Sequence, residues 1–135
     1  MKKILTMGLT VVLASALLIG CGGSKALKDG TYDYASEADS HGYKKTVQVT
    51  VAGGKITAAT YDEVSSDNKK KSEDAEYKAN YQKLVKDADP KATYEKLAAS
   101  LVSTQDPSKV EVVAGATESS NGFKEAAAKA LESAK

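Results

Sequence analysis

Thr117 stands in the stretch Gly115-Ala116-Thr117-Glu118-Ser119-Ser120, a hydroxyl-rich turn just ahead of a helical pattern. A glycine lets the backbone turn sharply and lets a bulky group approach closely. A serine at the mouth of a helix can instead simply cap it. The turn is therefore either a strand-to-helix connection or a place where a group is covalently attached. Other chemically capable residues are few. His41 is the only histidine and Cys21 the only cysteine, so a zinc site of the Cys/His kind is not available. No second histidine, nucleophile elbow or glycine-rich nucleotide loop equips the chain as a self-sufficient hydrolase. Asp62, Glu63 and Asp67 lack calcium-loop spacing.

Cys21 belongs to a different device. Lys2 and Lys3 precede an almost wholly apolar run from Ile4 to Ile19, the shape of a secretory signal. Leu18-Ile19-Gly20-Cys21 resembles a bacterial lipobox, in which cleavage falls before a diacylglyceryl-modified cysteine. This predicts a signal peptide over 1–20, a lipidated Cys21 with a flexible tether over 21–27, and one domain over 28–135. The lipid would hold that domain at the outer face of a membrane. Removing residues 1–20 takes away two lysines, so the formal charge passes from +1 to −1. Such a balance leaves no electrostatic footprint for nucleic acid. All 19 basic residues are lysine, so no bidentate guanidinium clamp exists. With Cys21 lipidated the mature domain has no thiol, and redox work would require a cofactor.

The elements that must position the Thr117 turn are legible in outline. A strand from Lys28 carries Tyr32 and Tyr34 on one face. Val47, Val49 and Val51 alternate with polar residues, the period of a half-buried strand. Gly53-Gly54 turns it back into a second strand from Ile56 to Val64. A change of face near Ala58-Ala59 predicts a bulge or a strand covered on both sides. A helix capped by Ser72 would bury Tyr77, Tyr81, Leu84 and Val85. Asp89-Pro90 opens the next helix, with Tyr94, Leu97, Ala98, Leu101 and Val102 on one face. A short strand over Val110 to Val113 follows, then a helix from about Ser120 to Ala134 burying Phe123, Ala127, Ala130 and Leu131. The order predicts a single small α+β domain, with a mostly antiparallel sheet and about three helices.

Several motifs in this order resemble one family. "AGATESSNGFKEAAAKAL" looks like the C-terminal signature of the FMN-binding domain. "DGTY", the "GGKI" hairpin, "YDEV", "KKKSEDAEY" and "LVSTQDPSKVEVV" are similar to segments of its small lipoproteins, among them flavinylated and peptide-pheromone-encoding lipoproteins of Gram-positive bacteria. The resemblance runs from about Lys28 to Leu131. It implies FMN as cofactor, joined by a flavin transferase from FAD through its phosphate to a threonine hydroxyl, here Thr117. Gly115 and Ala116 would leave room for the phosphate, and the helix start would favour its charge. Ser119 and Ser120 would donate to the same oxygens or cap the helix. Glu111 occupies the transferase-motif acid position, where aspartate is usual, and Ala114 replaces the common serine or threonine.

The implied function is a membrane-anchored extracytoplasmic flavoprotein that transfers electrons at the cell surface. A membrane electron donor and an extracellular acceptor would be its partners, and it would act as a carrier rather than a catalyst in its own right. Lys71, within the Lys69-Lys70-Lys71 run, would offset the charge of a reduced flavin, and Tyr61 and Tyr43 would stack on the ring. The competing reading is a non-redox surface lipoprotein, an interaction module, with residues 13–20 released as a pheromone.

Overall fold

The computed structural model describes residues 26–135. The signal segment and Cys21 lie outside the described residues. Three strands, β1 (Gly30–Ala35), β2 (Tyr43–Ala52) and β3 (Lys55–Ser65), form an antiparallel sheet in the order β1-β2-β3. Three helices follow: α1 (Ala75–Leu84), α2 (Pro90–Thr104) and, after a 3-10 turn at Pro107–Lys109, α3 (Thr117–Glu132). The fold is a small single α+β domain, as the residue order predicts.

One face of the sheet is apolar. Val47, Val49 and Val51 of β2 and Ile56 and Tyr61 of β3 are buried under α2 and α3, while Gln48, Ala52 and Thr60 point to solvent. The hairpin turns at Gly53 and Gly54, both at left-handed φ (+62° and +73°), as a two-residue turn between right-twisted strands demands. Thr50 pairs with Ala58 but Val51 with Ile56, so Thr57 is an extra residue. This bulge, one residue from the Ala58-Ala59 change of face, returns Ile56 to the core side. Phe123 of α3 and Tyr94 of α2 meet Tyr61 edge-to-face, with ring centroids 5.3 and 4.9 Å away. Each such pair adds about 0.5–1.5 kcal/mol beyond area burial.

Four local expectations are corrected. Residues 110–113 do not form a strand. Val110 is buried, but Glu111 N–H donates to Ser100 Oγ and Val113 N–H to Ser120 Oγ, so side chains take the backbone donors that a ladder would have used. Helix α1 is capped by Asp74, which accepts from Glu76 and Tyr77 N–H, and not by Ser72, whose hydroxyl donates to Asp62. That helix buries no residue fully, and Leu84 is 85% exposed, so its tyrosines are not core residues. Helix α3 begins at Thr117 rather than near Ser120, which places Thr117 in the first helical turn. The Asp89-Pro90 start of α2 forms as predicted, with Asp89 accepting from Lys91 and Ala92 N–H.

Candidate flavin site

A cleft of about 1010 Å³ opens where the ends of β2 and β3 meet α1 and the start of α3. Thr117 lies exposed on its rim, and Gly115, Ala116, Ser119, Tyr43, Lys45, Glu63, Lys71, Tyr77 and Tyr81 contribute to its walls. Gly115 has φ +78° and sits against Val85, so the chain passes tightly there. Tyr81 fastens the turn by donating its hydroxyl to Gly115 C=O.

The first turn of α3 differs from the other helix starts. Aspartate side chains cap α1, α2 and the 3-10 turn, whereas Ala116 offers α3 no side-chain cap. First-turn N–H groups without an intrachain partner favour an anion, and the helix dipole adds to this. The nearby serine hydroxyls are engaged elsewhere. Ser120 is fully buried, donating to Ala116 C=O at 2.7 Å and accepting from Val113 N–H at 3.0 Å. Ser119 donates to Glu63 Oε1 at 2.8 Å. Both serines therefore brace the turn. Glu111 is exposed on the segment leading into it.

The cleft floor holds a buried ion pair. Glu63 and Lys71 are 4% and 8% exposed, and Lys71 Nζ donates to Glu63 Oε2. Glu63 also accepts from Tyr61 OH at 3.1 Å. Removing two charges from water is costly unless every oxygen and proton is answered, and here strand, loop and helix all supply partners. Burial draws the Lys71 ammonium down, but hydrogen bonding and attraction from Glu63 outweigh it, leaving the pKa raised. The ammonium lies 4.2 Å from the Tyr43 ring centroid and 4.9 Å from that of Tyr77, a cation–π cage.

The aromatic candidates divide differently from expectation. Tyr43 does line the cleft, whereas Tyr61 is 6% exposed and packed between Tyr94 and Phe123, so its ring is a core ring. Burial pushes the Tyr61 hydroxyl pKa far up, with Glu63 adding to the effect. Tyr77 and Tyr81, expected in the core, are half-buried along the cleft wall with centroids 6.0 Å apart. In the sequence Glu63 stands out only as part of a candidate cation site, and Lys45 does not stand out. Their place in the site follows from the sheet, where Lys45 pairs with Glu63 at the end nearest the turn.

These residues fit FMN. The cleft suits a ligand of that size, its uncapped helix start suits a phosphate, and half-exposed tyrosines beside an ammonium suit a flat, electron-accepting ring. Fold and cleft define a small cofactor-holding α+β domain. The FMN-binding domain model matches residues 42–132, two thirds of the sequence, and the chain belongs to that family, with FMN as its cofactor. It is 32% identical over 125 residues to the 15 kDa lipoprotein of Treponema pallidum (strain Nichols), covering 91% of this chain and 87% of that protein. The crystal structure of the CPE2226 protein from Clostridium perfringens superposes with a TM-score of 0.75 at 37% identity, covering 80% of this chain and 88% of that one. A solution structure of a Clostridium thermocellum protein gives 0.55 at 26% identity, covering 81% and 93%.

Proposed function

We propose that the protein is a lipid-anchored extracytoplasmic flavoprotein, carrying FMN as a phosphoester on Thr117 and passing electrons at the cell surface. The observation that carries this reading is the exposed Thr117 hydroxyl on an uncapped helix start, beside a tyrosine-lined cleft. Attachment balances with FAD as donor. Thr117 Oγ1 forms a bond to the flavin-side phosphorus, the pyrophosphate P–O bond breaks, AMP leaves, and the hydroxyl proton is released. Bound FMN supplies reversible electron transfer, which no side chain here can perform.

The chain's own residues bind and orient. Gly115 and Ala116 leave the approach to Thr117 open, and the first-turn N–H groups of α3 receive the phosphodiester charge. Glu111 stands exposed six residues ahead of Thr117, within the segment that the flavin transferase must read. Tyr43, Tyr77 and Tyr81 offer ring faces and edges, while Lys71 presents positive charge to the same wall. Tyr61 acts through its hydroxyl on Glu63. The lipobox at Cys21 and the lipoprotein relative support the anchor. Electrons would come from a membrane donor and leave to an extracellular acceptor.

Co-expression with a flavin transferase tests the reading. Wild type should show a flavin-fluorescent band on a denaturing gel, and Thr117→Val should not. A band that persists in the variant would move the acceptor to another residue. A dark wild type that still binds FMN in its native state would make it a non-covalent flavoprotein. Separately, Cys21→Ala should abolish labelling by a fatty-acid probe.

A further inference from the structure

The tether and the flavin cleft occupy opposite ends of the domain. The chain enters beside the β2–β3 hairpin. A Cβ on Gly54 would lie 3.3 Å from Ala26 Cβ, Gly54 N–H donates to Asp29 at 2.9 Å, and Lys28 N–H donates to Ala134 C=O at 2.7 Å. The cleft lies at the other end of the same strands, beside Tyr43 and Ser65. Eight residue steps separate Tyr43 from Val51, which at strand rise is about 27 Å. Helix α3 gives a second ruler. Thr117 is its first residue, Glu132 its last, and its end meets Lys28 through Ala134. That span is about 23 Å at helical rise.

Charge follows the same axis. At the tether end Lys28, Lys55 and Lys135 are exposed, and among the described residues none of them is in an ion pair. The acids there leave that end with a net positive excess: Asp106 and Glu132 are offset by Lys109 and Lys129, and Asp29, which accepts from Gly54 N–H, sets one negative charge against the three lysines. At the cleft end Asp39, Glu118 and Glu125 line the opening against Lys45, with Lys71 and Glu63 neutralising each other, so the acids are in excess there. An anionic bilayer therefore attracts the first end and repels the second.

We infer that the lysine-bearing tether end of the domain is its membrane-facing surface, seated on anionic lipid headgroups, so that the Thr117 cleft opens away from the bilayer. This rests on lipid attachment at Cys21. Cys21 is five residues from Ala26, and that chain spans at most about 17 Å. The leash is thus shorter than the domain, and it lets these lysines come within the roughly 10 Å of the headgroups over which their attraction escapes screening. The partner that exchanges electrons at the cleft must then project beyond the headgroups or diffuse in the aqueous phase; a carrier dissolved in the lipid would not reach it.

The test uses the lipidated mature chain, isotope-labelled, in phosphatidylglycerol nanodiscs doped with a gadolinium-headgroup lipid. Amides of Gly53, Gly54 and Lys55 should broaden strongly, and those of Tyr43, Thr117 and Ser119 should stay sharp. Equal broadening at both ends, or stronger broadening at Thr117, would overturn the assignment. In a Lys28→Glu/Lys55→Glu/Lys135→Glu variant the contrast between the ends should collapse while the spectrum away from the membrane stays that of the folded domain. An unchanged contrast would remove the lysines from the interaction. Mass spectrometry of the same sample separates the two readings: an unacylated Cys21 sinks the anchor itself, whereas acylated protein with uniform broadening sinks only the orientation.

Discussion

Gly115 and Val85 leave no room between them: a Cβ built on Gly115 would lie 2.7 Å from Val85 Cγ1. The glycine also holds φ at +78°, a region that side-chain-bearing residues enter only with strain. Gly115→Ala should therefore cost about 1–3 kcal/mol in denaturant-induced unfolding. Val85→Ala in the same chain should relieve the clash and leave the strain, which a double-mutant cycle would read as favourable coupling. Additive losses would mean that the two residues do not press on each other.

The two hydroxyls of the turn should separate cleanly. Ser120 is buried and satisfies Val113 N–H, so Ser120→Ala should destabilise by about 1–3 kcal/mol, the cost of an orphaned buried group. Thr117 is exposed, so Thr117→Val should stay within about 0.5 kcal/mol of wild type. Thermal melts of both apo variants check this. A large loss at Thr117 would assign its hydroxyl a structural duty.

Glu63 and Lys71 should tolerate joint removal better than single removal. Glu63→Leu strands a buried ammonium and should cost about 3–5 kcal/mol, whereas Glu63→Leu/Lys71→Met should recover most of that. Chemical denaturation with an unchanged slope is the measure. A double variant as weak as the single one would show that Ser119 and Tyr61, which also donate to Glu63, matter more than the ion pair.

Acid should weaken the fold through its capping aspartates. The Asp89 carboxyl lies below its ordinary 3.8, chiefly through the hydrogen bond from Lys78, and Asp106 lies below it through Ser108. Burial is the largest influence on Asp39 and pushes its carboxyl up, but hydrogen bonds from Tyr43 and His41 N–H leave it lowered. A lowered pKa means that the folded state holds fewer protons, so this stability is present above the unfolded value and lost as pH falls through the folded one. Urea midpoints should stay flat from neutral pH to about 5 and fall below about 4. Asp89→Asn should shrink that acid decline. Lys71 has the opposite sign: its raised pKa contributes stability below 10.5 that is lost only as pH rises past the folded value.

Patterns carried by neighbours in the chain were readable without the fold. The alternating valines of β2, the Gly53-Gly54 reversal, the Asp89-Pro90 helix start and the apolar stripe of α3 all formed as their spacing predicts. Each depends on backbone geometry a few residues long. The same reasoning failed for α1, where tyrosines at helical spacing imply a buried face but line an open cleft. Periodicity tells which residues share a side of a helix, and not what that side meets.

By itself the sequence determined the order of β1–β3 and α1–α3, though with a further strand at 110–113 that does not form, together with the family motif around Thr117 and the single histidine and single cysteine that leave no Cys/His metal centre. Only the tertiary structure decided what each polar group in the site can do. Ser119 and Glu63 are 56 residues apart and Gly115 and Tyr81 are 34 apart, yet each pair is hydrogen-bonded. Whether a hydroxyl is free for chemistry or committed to a buried partner depends on such long-range contacts. Local propensity does not encode them, because a hydrogen bond to a distant group forms only once the core has brought the two together.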